Sequence, residues 1–103
     1  MRTERTLVLD VSRHDAPVGT SIAIRVRDRS NRSVEGATVA IGTQRKRTDA
    51  RGRCEFTVRS PGFWKVSAIK PPSDRISYRP ATKLLRVLPR PKPSRPRLAT
   101  TTG

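Results

Sequence analysis

The chain has 103 residues, one cysteine, one histidine and a formal net charge of +15 from 23 basic and 8 acidic side chains. This length favours one domain that buries roughly two-thirds of the surface its unfolded chain exposes. One cysteine excludes an internal disulfide framework, and the charge favours a polyanionic partner. The N-terminal apolar run Leu7–Leu9 is shorter than the roughly 7–15 residues of a secretory signal. We therefore expect neither a signal peptide nor membrane insertion.

Apolar and polar residues alternate with a period of two along most of the chain, which predicts β-strands. The clearest run is Thr20–Asp28, in which Ile22, Ile24 and Val26 share one face and arginines lie on the other. One face of this strand is therefore expected to be buried and the other wet. The same alternation predicts strands at Thr6–Val11, Ala37–Ile41, Arg53–Arg59, Phe63–Ile69 and Thr82–Leu88.

Turn residues separate these runs. In Thr48–Gly52, Asp49 can accept hydrogen bonds from downstream amides and Gly52 can adopt a positive φ, which predicts a tight hairpin turn. A second turn is expected at Ser60–Gly62, where proline precedes Gly62.

Short strands at intervals of about 8–12 residues with Gly and Pro turns are typical of an all-β sandwich or small barrel. We predict an antiparallel β-sandwich of about seven strands over residues 1–88, and a disordered basic Pro/Arg-rich tail over residues 89–103. Trp64 is expected to fill space between the sheets, with an indole N–H that needs an acceptor. The predicted structural core consists of Ile22, Ile24, Val26, Val39, Ile41, Phe56, Val58, Trp64 and Val66.

The sequence offers little that could carry catalysis. His14 beside Asp15 falls in a predicted loop, and adjacency in sequence does not make a catalytic dyad. Cys54 alternates with Phe56 and is expected to be inert core filler. The eight acidic residues are scattered singly, so no metal site is predicted. We expect no enzyme activity and no cofactor.

Four short motifs follow one another between Val34 and Ala68: V-x-G-A-x-V-x-I from Val34, T-D-x-x-G from Thr48, F-x-V from Phe56 and P-G-x-W-x-V-x-A from Pro61. In this order the chain resembles the carboxypeptidase regulatory-like (transthyretin-like) family of Ig-like β-sandwich modules. The resemblance implies a non-catalytic module of extracellular or cell-surface proteins, which serves as a spacer, an adhesion unit or a carbohydrate-facing domain. Its motif residues would be structural.

Two functions follow as expectations. The first is a non-catalytic Ig-like module for structural or adhesive interaction with a protein surface, a glycan surface or neighbouring domains. The alternative is a cytoplasmic basic protein that binds DNA, RNA or another polyanion through outward arginine rows and the tail. Arg-rich edges argue against self-pairing, so a monomer is expected. The candidate polyanion contacts are Arg25, Arg27, Arg45, Lys46, Arg47, Arg51 and Arg53.

Overall fold

A computed structural model describes residues 3–89, which form nine β-strands. Their bounds are β1 Thr3–Val11, β2 Asp15–Pro17, β3 Ser21–Asp28, β4 Thr38–Ile41, β5 Gln44–Arg47, β6 Arg53–Thr57, β7 Gly62–Ile69, β8 Ile76–Arg79 and β9 Ala81–Leu88. The tail predicted to be disordered lies outside the described residues except for Pro89. None of the described residues belongs to a helix with the length and apolar character needed to cross a membrane.

The strands form two sheets packed face to face, so the predicted all-β sandwich is confirmed. One sheet has four strands in the order β6-β3-β1-β8, and the other has five in the order β2-β9-β7-β4-β5. The interior lies between them because each long strand turns alternate apolar side chains toward the other sheet.

The sheets are mixed rather than purely antiparallel. β1 pairs with β8 in parallel, and β2 pairs with β9 in parallel, whereas the other ladders are antiparallel. The parallel partners, β8 and β2, are short edge strands, and with β5 they bring the strand number to nine. These three segments are only three or four residues long. β2 and β5 also lack alternating apolar residues, and the single alternation of Ile76 and Tyr78 in β8 is too short to be distinguished by periodicity.

Eight of the nine expected core residues are buried, with at most 4 % of their surface exposed. Phe56 is the largest fully buried side chain, and the fully buried Ile22 is its cross-strand neighbour in the ladder between β3 and β6. Burial of apolar side chains of this size is the main stabilising contribution that the sandwich gains on folding. Trp64, the ninth residue, packs against this core but is only partly buried.

One buried hydroxyl ties the loop before β4 to the strand connection after β5. Thr48 Oγ1 donates to the carbonyl oxygen of Val34 at 2.7 Å and accepts from the amide of Ala37 at 2.9 Å. No buried side-chain nitrogen or oxygen within residues 3–89 lacks a hydrogen-bond partner. The sandwich therefore leaves its outer faces, rather than its interior, as the places for a partner.

Candidate interaction surface

The outer face of the four-stranded sheet, called here the narrow face, carries arginines that are paired with acids. Arg27 on β3 donates from Nε to Asp10 Oδ2 on the neighbouring β1 at 2.6 Å. Arg79 on β8 lies 3.2 Å from Glu4 on β1. Each of these pairs crosses between adjacent strands, so the register of the sheet places opposite charges within reach.

Two further arginines on the narrow face are cross-strand neighbours. Arg25 on β3 lies opposite Arg53 on β6, a like-charge pairing that costs free energy unless other groups offset it. The guanidinium of Arg25 donates instead to Asn31 Oδ1 at 3.1 Å, to the Asn31 carbonyl at 3.3 Å and to Ser33 Oγ at 3.4 Å. Arg25 is thus held by the β3–β4 connection and is not free to reach a ligand.

The outer face of the five-stranded sheet, called here the wide face, carries the large apolar side chains that remain exposed. Among the described residues these are Phe63, Ile69 and Leu84, with exposed fractions of 69 %, 55 % and 60 %. Phe63 and Ile69 point outward from β7, and Leu84 points outward from the adjacent β9. Single exposed apolar residues are ordinary on a protein surface, but a group on one face indicates an interaction site.

Cationic side chains surround these apolar residues on the wide face. Arg86 lies opposite Phe63, and Lys65 lies opposite Leu84, in the ladder between β7 and β9. Arg45 and Arg47 on β5 point to the same face as Thr38 and Ala40 of β4. None of these four cations forms an ion pair or a side-chain hydrogen bond within residues 3–89.

One carboxylate accompanies the wide face among the described residues, and it lies at the rim. Asp15 on the edge strand β2 is the register neighbour of Arg86, but the two side chains do not form an ion pair. The four cations therefore exceed the acids by three on this face. Unpaired cations beside exposed apolar groups give a surface that is both positive and adhesive.

The candidate polyanion contacts do not share one surface. Arg25, Arg27 and Arg53 point outward on the narrow face, and Arg45 and Arg47 on the wide face. Lys46 turns inward at the side of the sandwich, where Nζ donates to the Glu55 carbonyl at 2.5 Å and lies 5.4 Å from the ring centre of Phe56. Because these seven residues divide among several places, they do not form the single basic stripe that their sequence suggests.

Lys46 and Gln44 have a structural role on β5. The Gln44 amide donates to the Thr57 carbonyl at 2.9 Å, beside the bond from Lys46 to Glu55. Both acceptor carbonyls belong to β6, an edge strand of the opposite sheet. The two side chains thus satisfy carbonyls that an edge strand would otherwise leave open, and they close this side of the sandwich.

Residues Thr48–Gly52 form a turn as expected, but this turn does not join the two strands of a hairpin. Asp49 Oδ1 accepts from the amides of Arg51 at 2.8 Å and Arg53 at 3.0 Å, and Gly52 has a φ of 75°. A Cβ on Gly52 would lie 2.4 Å from the Val26 carbonyl oxygen, so the turn needs glycine. However, it links β5 of one sheet to β6 of the other and does not close a hairpin, because local turn chemistry does not specify which sheet follows.

Arg51 belongs to this turn, where its main-chain amide binds Asp49 and its side chain is exposed. The amides of Arg53 and Arg51, in that order, lower the pKa of Asp49 below its ordinary value of 3.8, because they stabilise the carboxylate. The Asp49 carboxylate is therefore a negative charge that is bound by main-chain amides of its own turn.

Trp64 sits at one end of the sandwich rather than at its centre. Its indole N–H donates to the Ser60 carbonyl at 2.9 Å, which supplies the acceptor that the sequence requires. The ring packs on Gly42, where an added Cβ would lie 2.7 Å from ring atom Cζ3. The ring is partly exposed, and with Thr43 and Arg59 it lines a cleft of about 470 Å³. Gly62, expected in this turn, begins β7 with a φ of 132°.

The residues considered for catalysis lie apart. His14 is exposed between β1 and β2, and Cys54 is partly buried on β6. Burial raises the pKa of the Cys54 thiol above its ordinary value, and this keeps it protonated at neutral pH. Within residues 3–89, no group of three or more His, Cys, Asp or Glu side chains is arranged to hold a metal ion.

Sequence reasoning did not select Phe63, Ile69 and Leu84 as functional residues. Their signal was present, since each lies at an outward position of an alternating run where a polar residue is usual. What the sequence lacked was the strand order, which places β7 and β9 side by side and so brings the three residues to one face.

Comparison with models of known protein families gives no match for this chain. Comparison with curated proteins gives no match either.

Proposed function

We propose that the chain is a non-catalytic Ig-like interaction module, similar to carboxypeptidase regulatory-like domains, and that it binds its partner through the wide face. The observation that carries this proposal is the grouping on one sheet of Phe63, Ile69 and Leu84 with four cations that form no ion pair within residues 3–89. Apolar groups supply adhesion when they are buried, and the surrounding charges give orientation and a faster encounter.

The narrow face supports this choice by contrast. Three of its arginines bond to Asp10, Glu4 or the β3–β4 connection, so a partner that used them would first have to break internal contacts. The side chain of Arg53, the fourth, forms no such bond within residues 3–89. The alternative, a general polyanion binder that uses all arginine rows, has less support because acids are interspersed among the arginines of this face. Binding is therefore proposed for one face alone.

Photo-crosslinking from matched positions tests the proposal. Leu84 on the wide face and Val8 on the narrow face are each replaced by p-benzoylphenylalanine in the full chain, and crosslinked products are compared in extracts of the source cells. We expect discrete products from position 84 and few from position 8, because only the wide face would lie within reach of a partner.

Competition makes the result specific. Excess unlabelled wild-type chain should remove the position-84 products, whereas the variant Phe63→Ser/Leu84→Ser should not. The matched control Val8→Ser/Ala23→Ser, which alters the narrow face, should compete as well as wild type. Equal products from both positions, or full competition by the Phe63→Ser/Leu84→Ser variant, would contradict the proposal.

A further inference from the structure

We infer that the partner presents an acidic amphipathic helix, which lies across the strands of the wide face. This inference rests on the proposed function, since it names the chemistry of what binds there. It is carried by three features of the face: its charge, its aliphatic content and a strip of small side chains between its apolar positions.

The charge requires an anionic partner. Lys65 and Arg86 lie at the centre of the sheet, next to Leu84 and Phe63, and Arg45 lies on the β5 edge. A partner that covers the apolar residues also covers these cations, which form no ion pair within residues 3–89. Carboxylates on the partner would satisfy them, whereas an uncharged or basic partner would leave them buried and unpaired.

The apolar residues favour protein over nucleic acid. Single-strand nucleic-acid binders stack successive bases on exposed aromatic rings, and among residues 3–89 this face exposes one ring, that of Phe63. Leu84 and Ile69 are branched aliphatic side chains that cannot stack a base but pack well against leucine or valine. Phe63 and Ile69 are six residues apart on β7, so the apolar positions span about 20 Å.

The shape of the wide face suits a helix that crosses its strands. Thr82, Ser67 and Ala40 lie side by side on β9, β7 and β4 and form a strip of small side chains across the sheet, ending at Arg45 on β5. Along β7, the larger outward side chains of Lys65 and Ile69 flank this strip, and their backbone positions are about 13 Å apart. This backbone separation is comparable with the roughly 10–12 Å diameter of an α-helix with side chains, so the small-residue strip can seat one face of a helix.

An anionic bilayer is the remaining alternative, because basic and apolar residues together also suit a membrane surface. The wide face disfavours it, since the exposed apolar residues stand on either side of the small-residue strip rather than forming one protruding edge. A flat lipid surface would leave the strip between them unfilled. A helix fills it.

Fluorescence anisotropy with the full chain tests the inference using defined probes. The main probe is a labelled peptide of about 18 residues, built from Glu and Leu with Leu at helical spacing. One control peptide replaces every Leu by Gln and keeps the charge, and a second replaces every Glu by Lys. We expect the Glu/Leu peptide to bind at least about tenfold more tightly than either control.

Charge-reversal variants locate the binding. Lys65→Glu/Arg86→Glu should weaken Glu/Leu peptide binding by at least about tenfold, and the milder Lys65→Gln/Arg86→Gln by several-fold. The matched variant Arg25→Glu/Arg53→Glu removes as much positive charge from the narrow face and should change the affinity by less than about threefold. Circular dichroism confirms that each variant retains the strand spectrum.

The outcomes separate this inference from the function beneath it. Tighter binding of an oligo-dT strand or of phosphatidylserine vesicles than of the Glu/Leu peptide, lost on Lys65→Glu/Arg86→Glu, would overturn the acidic helix and leave the wide face as the binding surface. Equal loss of peptide binding in both charge-reversal variants would overturn the surface as well. Equal binding of the Glu/Leu and Glu/Gln peptides would show that charge alone is read, which also overturns the inference.

Discussion

The two outer faces of the sandwich both carry cationic side chains, but they differ in whether those side chains form internal ion pairs. On the narrow face Arg27 bonds to Asp10 and Arg79 pairs with Glu4, so these positive charges link adjacent strands of the sheet. On the wide face Arg86 and Lys65 lie beside exposed apolar groups, and no acid of the described part of the chain bonds to them. The number of arginines in the sequence is therefore not a measure of binding. What matters is whether each guanidinium forms an ion pair within the fold, since Asp15 is the register neighbour of Arg86 and still forms no ion pair with it.

The same contrast separates the two phenylalanines, and substituting each gives the largest expected difference. Phe56→Ala should destabilise the fold by about 3–5 kcal/mol, because it empties a fully buried site between the sheets. Phe63→Ala should change the free energy of unfolding by less than about 0.5 kcal/mol, because its ring is mostly exposed. Urea unfolding followed by circular dichroism measures both.

Phe63→Ala should nevertheless reduce binding of the Glu/Leu peptide, which makes it the informative member of the pair. A large loss of stability in Phe63→Ala would mean that the wide face is covered by the protein itself. In that case the comparison between the faces would fail.

The paired and unpaired arginines give a smaller difference. Arg27→Ala should cost up to about 1 kcal/mol, because the partly exposed bond to Asp10 is lost. Arg86→Ala should be close to neutral, because that guanidinium bonds to nothing in the described residues. The Arg27 effect should shrink in high salt, since ions screen an exposed pair. Equal costs for the two variants would argue against a charge-paired narrow face.

A lysine at the side of the sandwich, Lys46, can be compared with one on the wide face, Lys65. Lys46→Ala should destabilise by about 0.5–1 kcal/mol, because it removes the bond to the Glu55 carbonyl and the contact with the Phe56 ring. Lys65→Ala should have no measurable effect on stability. Thermal unfolding at matched protein concentration resolves these shifts. A neutral Lys46→Ala would mean that β5 does not need this contact to stay against β6.

The smallest effect concerns the turn that joins the two sheets. The lowered pKa of Asp49 means that its carboxylate stabilises the fold above the ordinary value of 3.8 and that this contribution is lost as pH falls below it. Asp49→Asn should therefore be slightly less stable than wild type at neutral pH and should approach it at pH near 3. Parallel urea titrations at the two pH values test this, and a constant difference between them would contradict the assignment.

The fold could be predicted where side-chain alternation was strong. Ile22, Ile24 and Val26 identify β3 directly, and similar runs identify the other long strands. Edge strands such as β5, Gln44–Arg47, could not be found, because an edge strand with polar faces has no buried stripe to leave a periodic signal. Trp64 shows a similar limit, since its type indicates a core residue but not its place at an end of the sandwich.

The candidate surface needed more than periodicity. Phe63 and Leu84 are distant in sequence, and only the ladder between β7 and β9 makes them neighbours. The predicted polyanion contacts show that residues adjacent in sequence can point to different surfaces. Arg45 and Lys46 are adjacent in sequence, yet alternation along β5 turns one outward and the other toward β6.

The most direct test of the account is a two-dimensional amide NMR titration of the full chain with the Glu/Leu peptide. We predict that shift changes centre on Ala40, Ser67 and Thr82, the small-residue strip, and on the cations beside it. Amides of β1 and β3, including Val8 and Arg25, should move little. Shift changes centred on β1 and β3, or spread equally over both sheets, would contradict the claim that the wide face is the binding surface.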